Sequence, residues 1–131
     1  MEKRIINPWH WQEQQGWSWA VETNNAQRVL YCAGQVSVDA NGRPTHAGDM
    51  RAQIKLALDN LETVLHQAGY GLSDVVRLDY YTTDADQLMA NWDVIRGRFE
   101  PTGQQAGGVL LGVSRLAVPE LLIEIEAIAA K

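Results

Sequence analysis

The chain has 131 residues, enough for one domain with its own core. Apolar residues make up 46% and charged residues 21% of it, and 11 basic against 16 acidic side chains leave a net charge of −5. That balance argues against broad nucleic-acid binding and against an anionic membrane surface, both of which need a basic face. The lone cysteine, Cys32, rules out a disulfide framework within the chain. No apolar run approaches the roughly 20 residues that span a bilayer, and residues 1–20 lack the apolar stretch of a secretory signal. The expectation is a soluble, cytoplasmic protein folded as a single domain over residues 1–131.

Arg4 to Ile6 reads as a first short strand, ended by Pro8, which has no N–H to give a ladder. Trp17–Glu22 and Arg28–Ala33 read as two strands joined by the turn Thr23–Gln27, together a hairpin, with Gln35–Val38 extending the run. Asp49 is a good N-cap for a helix to about Ala68. Within it Ile54, Ala57, Leu58, Leu61, Val64, Leu65 and Ala68 keep the 3.6-residue period, and Gly69 supplies the stop. Ser73–Tyr81 alternates as a strand, with Val75, Arg77, Asp79 and Tyr81 on one side and Val76, Leu78 and Tyr80 on the other. Thr83 or Asp84 caps a second helix to about Phe99, its inner face made of Leu88, Trp92, Ile95 and Phe99. Strands follow at about Val109–Val113 and Leu121–Ala129.

The order β-β-β-α-β-α-β-β predicts an α+β fold of ferredoxin-like type, a mixed sheet with two helices on one face. The other sheet face then needs a cover, and oligomerisation supplies one.

The chemistry-bearing motifs are few. His10, His46 and His66 match no local ligand spacing, so no metal and no cofactor is expected. Cys32 has no base near it in sequence and reads as a small core residue. Phosphate-binding glycine patterns are absent. Trp9, Trp11, Trp17 and Trp19 pair at i, i+2, which puts paired rings on one face of an extended segment. They either pin an edge segment to the body or wall a pocket or subunit seam. Glu124 and Glu126 alternate with Ile123, Ile125 and Ala127, so both carboxylates share one strand face. No basic side chain lies between Phe99 and Arg115.

The chain resembles the RidA (YjgF) family over nearly its whole length. The resemblance is carried in order by Ala33-Gly34-Gln35-Val36, Gln53 through Gly69, Asp74-Val75-Val76-Arg77, Thr83-Asp84, Asn91, Arg115-Leu116 and Ile123 through Ala129. It implies a chorismate-mutase-like α+β fold. It also implies a homotrimer whose sheets form an inner barrel, with ligand clefts at the subunit interfaces. Many members hydrolyse enamines and imines such as 2-aminoacrylate to 2-keto acids and ammonia. By resemblance Glu124 matches the water-positioning glutamate, Asn91 the helix asparagine and Gly34 the glycine of a Ser-Gly-Gln turn.

The departures are specific. Counting back from Arg115, the family's Pro-Ala-Arg falls on Ala106-Gly107-Gly108, so the carboxylate-binding arginine is replaced by Gly108. Ala33 replaces the serine, Trp17 stands for an N-terminal tyrosine, and Leu110 occupies a small or cysteine position. The expectation is a less polar, more aromatic small-molecule pocket at Trp17, Gly34, Asn91, Gly108 and Leu110, with Glu124 as the catalytic group. Deaminase activity on ordinary 2-imino acids is expected to be weak or absent. The alternative is a non-catalytic trimeric metabolite-binding protein.

Overall fold

Asp49 opens the longest helix as the sequence predicts. Its carboxylate accepts from the Ala52 N–H at 3.0 Å, and α1 runs Met50–Gln67 in a computed structural model that describes residues 1–103 and 106–131. Gly69, at φ 82°, takes the left-handed conformation that ends the helix. One stripe of α1 is buried: Ile54, Ala57, Leu58, Leu61 and Leu65 are fully covered. Each such Leu or Ile contributes about 1.5–3 kcal/mol over leaving it in water. Gln53 lies in the same stripe, also fully buried, with both its amide nitrogen and its oxygen engaged. Its amide donates to His46 O and Glu120 O at 3.1 and 2.9 Å and accepts from the Leu122 N–H at 2.8 Å. It therefore fixes α1 against the entry to the last strand.

The strands are β1 (Glu2–Ile6), β2 (Ala20–Asn24), β3 (Val29–Tyr31), β4 (Gln35–Val36), β5 (Val75–Thr82), β6 (Leu110–Gly112) and β7 (Ile123–Ala130). The main sheet runs β3-β7-β5-β6, with β4 also on β7. β7 is antiparallel to β3, β4 and β5, whereas β5 and β6 are parallel, so the sheet is mixed as predicted. The helices α1, α2 (Ala85–Ala90) and α3 (Trp92–Phe99) supply the core that packs on this sheet.

Three local expectations are corrected. The hairpin between the second and third strands does not form. β2 pairs instead with β1, from Glu2–Asn24 to Ile6–Ala20, as a separate two-stranded ribbon. β2 is polar and mostly exposed, so it has no face to bury in the main sheet, and Arg4 meets Glu22 across the ribbon at 2.6 Å. β3 is drawn to the apolar β7, where the Lys131 carbonyl accepts from both Gln27 and Arg28.

The second correction is in β5. A register irregularity between Val75 and Arg77 breaks the two-residue alternation. Val75 thereby joins Leu78 and Tyr80 in the core rather than facing out with Arg77 and Tyr81. The third is the second helix, which breaks in two at Asn91 (φ −114°, ψ 17°) although Asp84 caps it as expected, accepting from Gln87 N–H at 3.0 Å.

The sheet face away from the core carries Arg77, Tyr81, Glu124, Glu126, Ile128, Tyr31 and Val36, brought side by side by the registers. Tyr31 is 75% exposed there, a large ring with no cover in the single subunit. No helix among the described residues is long and apolar enough to cross a membrane.

Candidate functional site

A cavity of about 310 Å³ opens at the β6 edge of the sheet. Its floor is Leu78 and Tyr80 of β5 with Gly108, Val109 and Leu110 beside them. Met89, Trp92, Ile95, Arg96 and Phe99 of the broken helix form one wall, and Gln15, Gly16 and Trp17 the other. The walls are linked. The Trp92 indole donates to Gln15 O at 2.9 Å, and the Trp17 indole to Gln15 Oε1 at 3.1 Å. Trp92 also meets Tyr80 edge-on, 5.0 Å between centroids.

The tryptophan segment is not extended. Residues 9–19 turn back on themselves through a short 3-10 turn at Glu13–Gln15. All four rings therefore meet edge to face, with Trp17–Trp19 at 5.0 Å, Trp9–Trp19 at 5.1 Å, Trp11–Trp19 at 5.6 Å and Trp11–Trp17 at 5.7 Å. Fully buried Gln12 supports the cluster, accepting from the Trp19 indole at 2.9 Å. Of these four, Trp17 lines the cavity. Trp9 and Trp11 remain 59% and 65% exposed.

Gly108 is glycine for reasons of space. A Cβ built there would sit 1.6 Å from Leu78 O and 3.2 Å from Asp79 Oδ1. The segment from Gly107 to Val109 is held tight to β5: Leu78 N–H donates to Gly107 O at 2.9 Å and Tyr80 N–H to Val109 O at 2.8 Å. Buried Asp79 sits under it, accepting from Val109 N–H at 3.0 Å and from Arg77 Nε at 2.9 Å. No side chain of any kind fits at Gly108 while the strands keep this spacing.

Glu124 and Gly34 come together on the opposite face of the sheet. A Cβ on Gly34 would lie 2.2 Å from Glu124 Oε2, so the carboxylate rests directly over glycine backbone. Val36 and Tyr81 flank Glu124 in register. Among the described residues the Glu124 carboxylate accepts no hydrogen bond, whereas Glu126 accepts from the Tyr81 hydroxyl at 2.5 Å. That hydrogen bond, with smaller contributions from burial and from the charges of Glu126 and Asp79, pushes the Tyr81 phenol up to about 12.

Asn91 stands apart from both groups. Its amide donates to Gln87 O at 2.8 Å, and its carbonyl oxygen accepts from Arg51 at 3.4 Å, which also grips Asp93 with two bonds of 2.8 and 3.0 Å. The cavity takes the next residue, Trp92. Within the chain the predicted residues therefore fall in three places: Trp17, Gly108 and Leu110 in the cavity, Glu124 and Gly34 on the opposite sheet face, and Asn91 at the helix break. Cys32 packs half-buried against the core, and burial pushes its thiol up, away from the reactive thiolate. Tyr80 and Asp79 were not predicted to belong to this site. The four-residue step from Trp92 to Arg96 is a sequence signal that puts both on one helix face.

A mixed sheet with helices on one face is the α+β fold of solved YjgF/Rid family structures. The chain belongs to that family: the model of the endoribonuclease L-PSP family, which includes the RidA (YjgF) proteins, matches residues 11–131. A RutC family protein of Pyrococcus horikoshii is 33% identical over 115 residues, 88% of this chain and 86% of that one. The 3-aminoacrylate deaminase RutC of Acinetobacter baylyi is 28% identical over 109 residues, covering 83% and 84%. Among solved structures, YyfB of Yersinia pestis, a Rid family protein of unknown function, is similar over the full length of both chains, at 40% identity and a TM-score of 0.88.

Proposed function

We propose that this chain is a divergent Rid protein that hydrolyses a small imine or enamine in a cleft completed by a neighbouring subunit, as a homotrimer built on the uncovered sheet face. The carrying observation is the split of the site. An unengaged carboxylate, Glu124, and the aromatic cavity lie on opposite faces of one sheet, so they can act on one molecule only across a subunit boundary. The chemistry follows from the groups. An enamine that takes a proton from solvent at carbon becomes an iminium ion. Glu124 takes a proton from water as its oxygen adds to the iminium carbon, giving a neutral carbinolamine, and then returns that proton to the nitrogen; the C–N bond breaks to release ammonia, and the hydroxyl gives its proton back to solvent to leave a carbonyl compound. The relative named as a 3-aminoacrylate deaminase supports the reaction class.

Gly108 separates this chain from ordinary members. An arginine there would hold the substrate carboxylate bidentately and orient the imine carbon. With that position closed to any side chain, turnover of 2-aminoacrylate is expected to be weak or absent. The same observation favours a second reading, a trimer that binds a metabolite without turning it over. Ammonia release from a panel of imines with and without a carboxylate decides between them. The hydrolase reading expects release from at least one imine that lacks a carboxylate or has it held by donors other than position 108, lost in Glu124→Gln. No release from any member would refute it, and sedimentation as a monomer would refute the shared cleft.

A further inference from the structure

Two polar side chains on the cavity wall have no partner among the described residues. Tyr80 is only 7% exposed and lines the cavity, yet its hydroxyl makes no hydrogen bond among the described residues. A buried hydroxyl without a partner is uncommon in a native interior and points to a ligand atom that completes it. The exposed Arg96 side chain, on the α3 wall, makes no hydrogen bond or ion pair among the described residues. Its electrostatic neighbour Asp93 is already gripped by Arg51, and Arg96 also borders a second hollow that Glu13 and Glu100 help to line. Arg98 is engaged by Asp59 and Glu62, both at 2.8 Å, Arg77 by Asp79, and Arg28 by Ala68 O at 2.8 Å; Arg43 and Arg115 are, like Arg96, without a side-chain bond among the described residues, but neither lines the cavity. Arg96 is also placed. Its stem passes 3.6 Å from where a Gly16 side chain would begin, and Gly16 sits at φ 86°, so the Gln15–Trp17 wall is shaped to let it by.

We propose that this cavity takes an aromatic carboxylate, its ring between Trp17 and Trp92 and its carboxylate on Arg96, with Tyr80 donating to a ligand oxygen. The aromatic lining selects the ring, since edge-to-face contacts with Trp17, Trp92 and Phe99 add to simple burial. The guanidinium selects the anion, because a planar fork matches a carboxylate. The volume of about 310 Å³ suits a bicyclic ligand and is far larger than pyruvate needs. This ligand class rests on the reading of the chain as a small-metabolite Rid protein but not on the hydrolytic step. It moves the anion contact from the strand, where Gly108 forbids it, to the helix.

Isothermal titration of the full chain with indole-3-acetate, indole-3-acetamide and pyruvate tests it. The acid is expected to bind at least about tenfold more tightly than the amide or pyruvate. Arg96→Gln should remove about tenfold of the acid's affinity and leave the amide's unchanged. Tyr80→Phe should weaken the acid a few-fold while the apo protein keeps its Tm. Equal binding of acid and amide, no effect of Arg96→Gln, or no binding by any probe would each overturn the proposal. Ammonia release by the Glu124→Gln pair is read separately. Loss of the hydrolase reading with acid binding intact leaves the ligand class standing, and turnover without acid binding removes the ligand class alone.

Discussion

Adding one methyl group at Gly108 should cost this protein a large part of its stability. The Cβ of Gly108→Ala would lie 1.6 Å from Leu78 O and 2.6 Å from Leu78 C, against backbone rather than a yielding side chain. Relief requires the segment to move out by more than an ångström. That motion stretches Leu78 N–H to Gly107 O, Tyr80 N–H to Val109 O, and Val109 N–H to Asp79 Oδ1. Three hydrogen bonds at about 1 kcal/mol each, plus about 1–2 kcal/mol for buried Asp79 losing a donor, give about 4–5 kcal/mol. Against a typical total of about 5–15 kcal/mol this is severe, equivalent to a Tm lower by about 12–20 °C for a chain of this length. Thermal unfolding by circular dichroism, with Gly107→Ala as the control, measures it. The control has only ordinary contact, 3.5 Å to Ser18 O. A Tm for Gly108→Ala within about 2 °C of the parent would refute the close-approach reasoning.

Two further outcomes follow from buried or engaged polar groups. Gln53→Ala should lose about 2–4 kcal/mol in urea unfolding, since it deletes three bonds and strands the Leu122 N–H and two carbonyls in the interior; a loss under about 1 kcal/mol would contradict this. Tyr81, with its phenol raised to about 12, should ionise above the usual tyrosine range in an ultraviolet titration, and Glu126→Gln should bring it down toward about 10. The neutral phenol is the form the fold favours. The stability it confers is therefore complete below about 10 and fades as pH rises through about 12. An unchanged titration in Glu126→Gln would refute the hydrogen bond as the cause.

Much of the fold was legible because local signals agreed with tertiary demand. Asp49 caps α1, Gly69 ends it, and the apolar stripe between them meets the sheet. Errors arose where a distant partner outbid a local one. The Thr23–Gln27 turn looked sufficient for a hairpin, but β3 finds more apolar contact on β7 than on polar β2, and nothing local to the turn reveals that. Val75 was assigned by strict alternation, which one bulge inverts. The tryptophans were read with a strand period although they sit on a turning segment.

The site was legible in pairs rather than as a whole. Trp17, Gly108 and Leu110 do share the cavity, and Glu124 and Gly34 do touch. Asn91 fell one residue from the position that faces the cavity, and in a helix one residue is a rotation of about 100°. Trp92 takes the place instead. That the two groups lie on opposite sheet faces follows from strand parity and from β7 being central, but one chain's sequence does not state which faces meet in an assembly.

Glycine at position 108 is a requirement of the strand spacing. Gly108 lets the chain close onto β5, and that closure gives Asp79 a backbone donor and sets the Tyr80 ring as the cavity floor. An arginine introduced at Gly108 would have to push the segment away, releasing Asp79 and deforming the floor beneath Trp17 and Trp92. Its guanidinium would then arrive beside a buried carboxylate whose partner, Arg77, is already in place. Gly108→Arg alone is therefore expected to lower stability without restoring a substrate clamp. An aromatic cavity with an anion contact on α3 is what remains available to this backbone, and Arg96 is the side chain positioned to provide it.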